Sequence, residues 1–304
     1  MKTGILGNIA FALVFALSAC GGTTPTANHV TITGADIKFG DPAAPFTALV
    51  QDSSNITVMG KTFTWNSSNT DVATVDTNGL VTPKHVGTFK ISATSDGIIG
   101  ESSSFRIYGL DVIGGVARYS DTPNLYFGLY YKILLPGTAT TPDGAISITG
   151  PATFNTGTAL PVAFTGTIAQ SGTSTVPNAL VIGGTYQAST TVNGQSYSRS
   201  FSINTNDKLE FPTGINLSAV AASSITVSWV TVVNAERYLA GVNPSGLGGN
   251  KLVLKTQALT TTLNGTPALD TTKTYKAFVQ ASNLNTDLLP TQFNSALQYV
   301  PVTF

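Results

Sequence analysis

The stretch that decides the fold is FTWNSSNTDVATVDTNGLVTPKHVGTFKISATSDG, residues 63–97. Asp76-Thr77-Asn78-Gly79 separates two short runs of aliphatic residues, and Asn-Gly is a strong signal for a tight hairpin turn. Farther on, Phe89, Ile91 and Ala93 alternate with polar residues, which is typical of a strand with one buried face. The stretch therefore predicts four short strands joined by turns.

The remainder of the chain has a similar chemistry. Its 304 residues are rich in Thr, Ser, Asn, Val and Gly, a mixture that favours strands and turns. The 15 basic and 15 acidic side chains balance, so no field of one sign is available to attract nucleic acid. Beyond the N-terminus no apolar run has helical spacing with start and stop signals. We expect an all-β protein of tandem β-sandwiches.

Residues 29–108 carry a more specific pattern around the opening stretch. The segments Trp65-Asn66-Ser67-Ser68-Asn69, Asp71-Val72-Ala73 and Gly79-Leu80-Val81, with Gly87 and Ile91-Ser92-Ala93, resemble the bacterial Ig-like domain, group 2. The resemblance implies that these positions build a fold and are not a catalytic set. It also implies a bacterial or phage surface, where members serve as spacers or adhesive modules. We expect Trp65, a large aromatic, to fill the centre of this small core.

Residues 207–304 carry a second pattern. Ile225, Val227 and Trp229 alternate with polar residues, which predicts a half-buried strand. This part resembles a fibronectin type III domain, and the resemblance implies particular roles for four residues. Trp229 would be the buried tryptophan, Tyr238 the aromatic of the next strand, and Leu269 with Tyr275 the tyrosine corner.

Residues 109–206 match no family that we recognise, and regular turn signals make a third Ig-like sandwich the default expectation. Asn193-Gly194 predicts a hairpin turn. The aromatic-rich run Leu125–Leu135 has two interpretations: a central strand buried on both faces, or an exposed platform for a ligand. In the second interpretation Tyr126, Tyr130 and Tyr131 face a sugar ring or a protein partner.

Residues 1–19 have the plan of a secretory signal peptide, with Lys2 before a short apolar run. Leu17-Ser18-Ala19-Cys20, followed by Gly21, resembles the lipobox of bacterial lipoproteins. The resemblance implies cleavage before Cys20, diacylglycerol on its thiol, and a tether over residues 20–28. Cys20 is the only cysteine, so a disulfide has no partner in the chain, and neither a catalytic base nor metal-ligand spacing accompanies it. Position 21 is Gly and lacks the aspartate that retains enteric lipoproteins in the inner membrane, so in an organism with an outer membrane the resemblance implies the outer membrane or cell surface.

Other candidate chemistry is sparse. Asp71, Asp76 and Asn78 could ligate calcium, but their spacing lacks the EF-hand pattern, and a hairpin turn explains them better. His85 is expected to be a surface residue without a partner, which makes a poor catalyst. Acids and histidines are scattered, so we predict no enzyme, no cofactor and no metal site.

Two functions remain open at this point. The first is a lipid-anchored envelope protein with a structural, adhesive or protein-interaction role. The alternative is a surface lipoprotein that binds a carbohydrate or another ligand. The expected partners are the membrane, through lipid on Cys20, and an envelope protein or surface glycan; nucleic acid is not expected.

Overall fold

The regular structure of the chain is almost entirely β-strand. The computed structural model describes residues 25–136, 142–164, 170–243, 251–254, 258–265, 268–285, 290 and 292–304. One short 3-10 element at Phe154–Gly157 is the only helical segment in these ranges. No helix in the described ranges is long and apolar enough to cross a membrane. The all-β prediction is confirmed, whereas the predicted signal peptide and Cys20 lie outside the described residues.

The N-terminal unit is built from many short strands, as the turn-rich sequence predicts. Its strands are β1 (His29–Thr33), β2 (Ile37–Lys38), β3 (Ala44–Pro45), β4 (Thr47–Gln51), β5 (Thr64–Ser67), β6 (Ala73–Val75), β7 (Leu80–Pro83), β8 (Gly87–Phe89), β9 (Ile91–Ser95) and β10 (Ile98–Glu101). Strand β1 pairs with β4, β9 lies between β10 and β5, and β7 lies between β3 and β6. All the pairings in these three sheets are antiparallel.

The centre of the hydrophobic core of this unit is not filled by Trp65, contrary to what we expected from the sequence. Phe46, Phe89 and Phe105 are buried together, and the rings of Phe46 and Phe105 meet edge to face at 4.9 Å. Trp65 is only half-buried and packs against the side of this cluster. Phe46, between β3 and β4, fills the space with Phe89 of β8 and Phe105, the first residue of the strand that follows β10, because ring positions depend on sheet packing, which local alternation does not reveal.

The middle unit is a two-layer sandwich. Its strands are β11 (Phe105–Tyr119), β12 (Leu125–Leu134), β13 (Ile146–Thr149), β14 (Leu160–Val162), β15 (Gln170–Leu180), β16 (Gly184–Val192) and β17 (Gln195–Ile203). One sheet has the order β15-β12-β11 and the other β14-β13-β16-β17. A single core between them includes Phe127, Tyr131 and Tyr186.

Tyr186 locks a chain reversal that sequence reasoning missed. Its hydroxyl donates to the carbonyl of Ile182 at 2.6 Å and accepts from the Ile182 N–H at 3.1 Å. Leu180 and Tyr186 have the same Leu-x5-Tyr spacing as Leu269 and Tyr275. That repeated spacing was the signal that could have revealed the corner, because a buried phenol needs a hydrogen-bond partner.

The C-terminal unit has the fibronectin type III-like arrangement expected from the sequence. Its strands are β18 (Asn216–Ala221), β19 (Ser224–Val230), β20 (Arg237–Asn243), β21 (Lys251–Leu254), β22 (Ala258–Asn264), β23 (Tyr275–Ser282) and β24 (Ser295–Val302). Strands β18-β19-β22 form one sheet, and β24-β23-β20-β21 belong to the other. Trp229 packs on Tyr238 with ring centroids 5.7 Å apart, and the Tyr275 hydroxyl accepts from the Asp270 N–H at 3.1 Å.

Strand β11 runs through all three units. Residues 105–108 pair with β2 and β8, residues 109–118 pair with β12, and residues 117–119 pair in parallel with β24. The boundary that we predicted between Tyr108 and Gly109 therefore falls inside a continuous strand. Gly109 has a φ of 137°, a conformation that favours glycine, at the point where the pairing partners change.

A buried amide cluster joins the middle and C-terminal units. The Gln292 side chain donates to the carbonyls of Asn204 and Asp207, at 3.0 and 2.7 Å, and accepts from the Asn204 N–H at 2.6 Å. Oδ1 of Asn294 accepts from the Val116 N–H of β11 at 3.1 Å and from Nε2 of Gln292 at 2.9 Å. These bonds satisfy polar groups of both units and of the segment between them, so the joint is specific.

Candidate functional site

The aromatic run in β12 is mainly core. Tyr131 is 1% exposed and packs in the sandwich, and Tyr130 is 3% exposed beside Ile113, Leu284 and Phe293. Neither ring can serve as an open platform, so their placement agrees with the buried-strand interpretation. Tyr126 is half-buried, and its ring meets Tyr119 edge to face at 5.3 Å.

The carboxylate of the acidic turn in the N-terminal unit forms hydrogen bonds to the backbone of that turn. Oδ1 of Asp76 accepts hydrogen bonds from the N–H groups of Leu80 and Asn78, both at 2.8 Å. These bonds lower the pKa of Asp76 because they stabilise its charged form, and the bond from the Leu80 N–H has the largest effect. In the described part of the chain, no group of three or more His, Cys, Asp or Glu side chains could hold a metal ion. The hairpin interpretation of this stretch fits its geometry.

His85 has a partner that the sequence did not reveal. Its Nδ1 lies 2.7 Å from Oδ2 of Asp111, a carboxylate on β11 that is only 1% exposed. Asp111 is paired across the sheet with Lys132, and burial lowers the pKa of Lys132 while Asp111 opposes that shift. The expectation of an unpartnered surface histidine was wrong because His85 and Asp111 are joined only by tertiary packing. The cluster holds the N-terminal unit to the middle unit.

We expect His85→Ala to destabilise the protein by about 1–2 kcal/mol, because the buried Asp111 carboxylate loses a hydrogen-bond donor. Urea unfolding followed by tryptophan fluorescence measures this loss. His29→Ala is the matched control, since His29 makes no contact of this kind among the described residues. Equal midpoints for the two variants would contradict the proposed role of His85.

An open cavity lies between the N-terminal and middle units. Its volume is about 480 Å³, and the described residues that line it are Lys38, Tyr108, Pro136, Val192, Asn193, Gln195 and Tyr197. Lys38 and Tyr108 are direct partners in the pairing of β2 with β11, so their side chains share one face. The Lys38 ammonium lies 5.2 Å from the centre of the Tyr197 ring.

The opposite wall of the cavity is the β16–β17 hairpin. Asn193 and Gly194 have φ angles of 48° and 75°, which fits the tight turn predicted from Asn-Gly. The Asp143 carboxylate accepts from both backbone N–H groups, at 3.1 and 3.2 Å, and so fixes the tip. Burial raises the pKa of Tyr197, and the neighbouring Tyr108 adds to the rise. The two hydrogen bonds to Asp143 therefore hold the tip of this wall in place.

A smaller cavity of about 220 Å³ shares Lys38 and Tyr197 with the first. Beside it, Arg199 lies over the Phe39 ring at 4.6 Å, which closes this side of the junction. Sequence reasoning predicted the Asn193-Gly194 turn but missed the cavity, because Lys38, Tyr108 and Tyr197 come from β2, β11 and β17 and form no motif.

Comparison with solved structures finds only distant similarities. The first three fibronectin type III domains of chicken CNTN1 are 14% identical to the chain, with a TM-score of 0.22; the alignment covers 91% of this chain and 98% of that one. Domains 4 and 5 of the S-layer protein SbsC are 15% identical, with a TM-score of 0.23, over 58% of this chain and 98% of that one. Both scores are too low to indicate a shared arrangement of domains.

No curated protein matches the chain. One family model does match, and it covers the unit that contains the opening stretch. This match confirms the resemblance based on Trp65–Asn69 and the segments that follow it. Residues 27–102 are similar to the Bacterial Ig-like domain (group 2).

Proposed function

We propose that this chain is a non-catalytic, lipid-anchored envelope protein that serves a structural and protein-interaction role at a bacterial surface. The observation that carries the proposal is strand β11, which connects three sandwiches through continuous backbone pairing. A family of surface-associated Ig-like domains matches the N-terminal unit, in keeping with an exported protein.

The geometry favours a supporting role over a catalytic one. Several polar side chains at the two junctions are bonded to one another, as in His85–Asp111 and Gln292–Asn294. Such bonds hold domains together, and the histidine–carboxylate pair His85–Asp111 lines neither of the two cavities described above. A framework joined in this way transmits force between a membrane tether and an outer partner.

Anchoring depends on Cys20. We expect wild-type protein to remain in the membrane fraction after a carbonate wash, because two or more acyl chains anchor a protein stably. Cys20→Ala should leave the protein in the soluble fraction or the medium. Thr23→Ala, in the predicted tether, is the matched control and should fractionate as the wild type does. Membrane retention of Cys20→Ala would remove the lipid anchor from the proposal and leave the β-framework unaffected.

A further inference from the structure

The cavity between the N-terminal and middle units, defined above by its lining from Lys38 to Tyr197, has the chemistry of a ligand site. The Lys38 ammonium makes no ion pair with any described residue, and none of the described lining residues is a carboxylate. The phenol hydroxyls of Tyr108 and Tyr197 also have no hydrogen-bond partner among described residues. Within the described ranges, one cation and two hydroxyls therefore line the same cavity without a hydrogen-bond or ion-pair partner.

The remaining polar groups are two primary amides at the hairpin. Nε2 of Gln195 donates to the carbonyl of Ser196 at 3.3 Å, which leaves its amide oxygen to accept. The Asn193 side chain makes no bond to a described residue, although its backbone is fixed by Asp143. Amides and phenols both donate and accept, so together they match a ring that carries several hydroxyl groups.

The cavity also has the size and the apolar surface that such a ligand requires. Its volume of about 480 Å³ lies within the roughly 300–1,000 Å³ of small-molecule sites. Pro136 and Val192 supply apolar surface for the C–H face of a ring. A single lysine is a point charge suited to one carboxylate, whereas a densely charged phosphate site would be expected to recruit several donors or an arginine.

We propose that this cavity binds a sugar that carries a carboxylate, such as a uronic acid residue of a surface polysaccharide. Lys38 pairs with the carboxylate, and Tyr108, Tyr197, Asn193 and Gln195 bind the ring hydroxyls. The site is separate from the aromatic run in β12. It adds a glycan partner to the proposed function and does not depend on the lipid anchor.

The test is a ligand-observed NMR titration of the purified full-length protein in detergent with methyl β-glucuronide. Methyl β-glucoside and acetate are titrated in parallel. The wild type should bind the glucuronide about tenfold more tightly than the glucoside, because a charge-assisted hydrogen bond is retained only with the acid. Lys38→Gln should abolish that preference. The double variant Tyr108→Phe with Tyr197→Phe should weaken both sugars about fivefold.

Lys273→Gln and Tyr126→Phe are the matched controls, since they remove the same groups away from the cavity. Both should bind like the wild type. No glucuronide binding by the wild type, an unchanged preference in Lys38→Gln, or acetate binding as tight as glucuronide would overturn the proposal. The phenylalanine variants keep both rings, so a folded spectrum is expected alongside any loss of affinity.

Discussion

Gly115→Ala is expected to separate the middle unit from the C-terminal unit. A Cβ at this position of β11 would lie 1.6 Å from the backbone oxygen of Phe293, far inside contact distance. The obstacle is backbone, and the Phe293 N–H already donates to the carbonyl of Gly114 at 3.1 Å, so neither side can yield without losing the joint. We expect a penalty of about 3 kcal/mol or more, at the upper end for an overpacked site.

Small-angle scattering measures the result directly. The radius of gyration of Gly115→Ala should rise as the units undock, whereas each unit should keep its strand signal in circular dichroism. Gly144→Ala is the matched control, because a Cβ there meets nothing within 4 Å. A scattering curve for Gly115→Ala that superposes on the wild-type curve would show that the two units are not packed in this way.

Gln292→Ala is expected to open the same joint from its polar side. The Gln292 side chain is 6% exposed and bonds to backbone groups of Asn204 and Asp207. Its removal leaves those backbone groups, and Oδ1 of Asn294, with fewer hydrogen-bond partners at a site that water reaches poorly. Losing several such bonds costs about 2–3 kcal/mol.

Trypsin reports this opening, since exposed Lys208 lies in the segment that Gln292 holds. When cleavage requires the joint to open, a loss of about 2–3 kcal/mol corresponds to cleavage roughly 30–150 times faster. Gln187→Ala, on the exposed surface of β16, should be cleaved at the wild-type rate. Equal rates for Gln292→Ala and the wild type would mean that the amide cluster does not control the joint.

The sequence predicted those features that a local pattern encodes. Alternation placed Ile225, Val227 and Trp229 on a buried face, and all three are buried. Asn193-Gly194 predicted its hairpin because few residues adopt positive φ at both positions. The two-residue repeat of a strand indicates which of its faces is buried, and turn residues indicate where the chain reverses. The fold class and most strands can therefore be predicted from short windows of sequence.

Local sequence patterns did not predict contacts between residues that are far apart in the chain. The side chains of Trp65 and Phe46 differ little in local signal, yet the phenylalanine fills the core. His85 and Asp111, or Gln292 and Asn204, are joined only when separate sandwiches dock. No short window encodes the relative placement of two domains.

The sequence by itself determined that this protein is all-β, that its N-terminal unit resembles a bacterial Ig-like domain, and that its C-terminal unit carries a tyrosine corner. Only the tertiary structure decided that β11 joins the three units and that Lys38, Tyr108 and Tyr197 surround one cavity. The physical reason is that strand propensity and turns are properties of neighbouring residues. A shared sheet or cavity depends on backbone hydrogen bonds and packing between residues far apart in the chain.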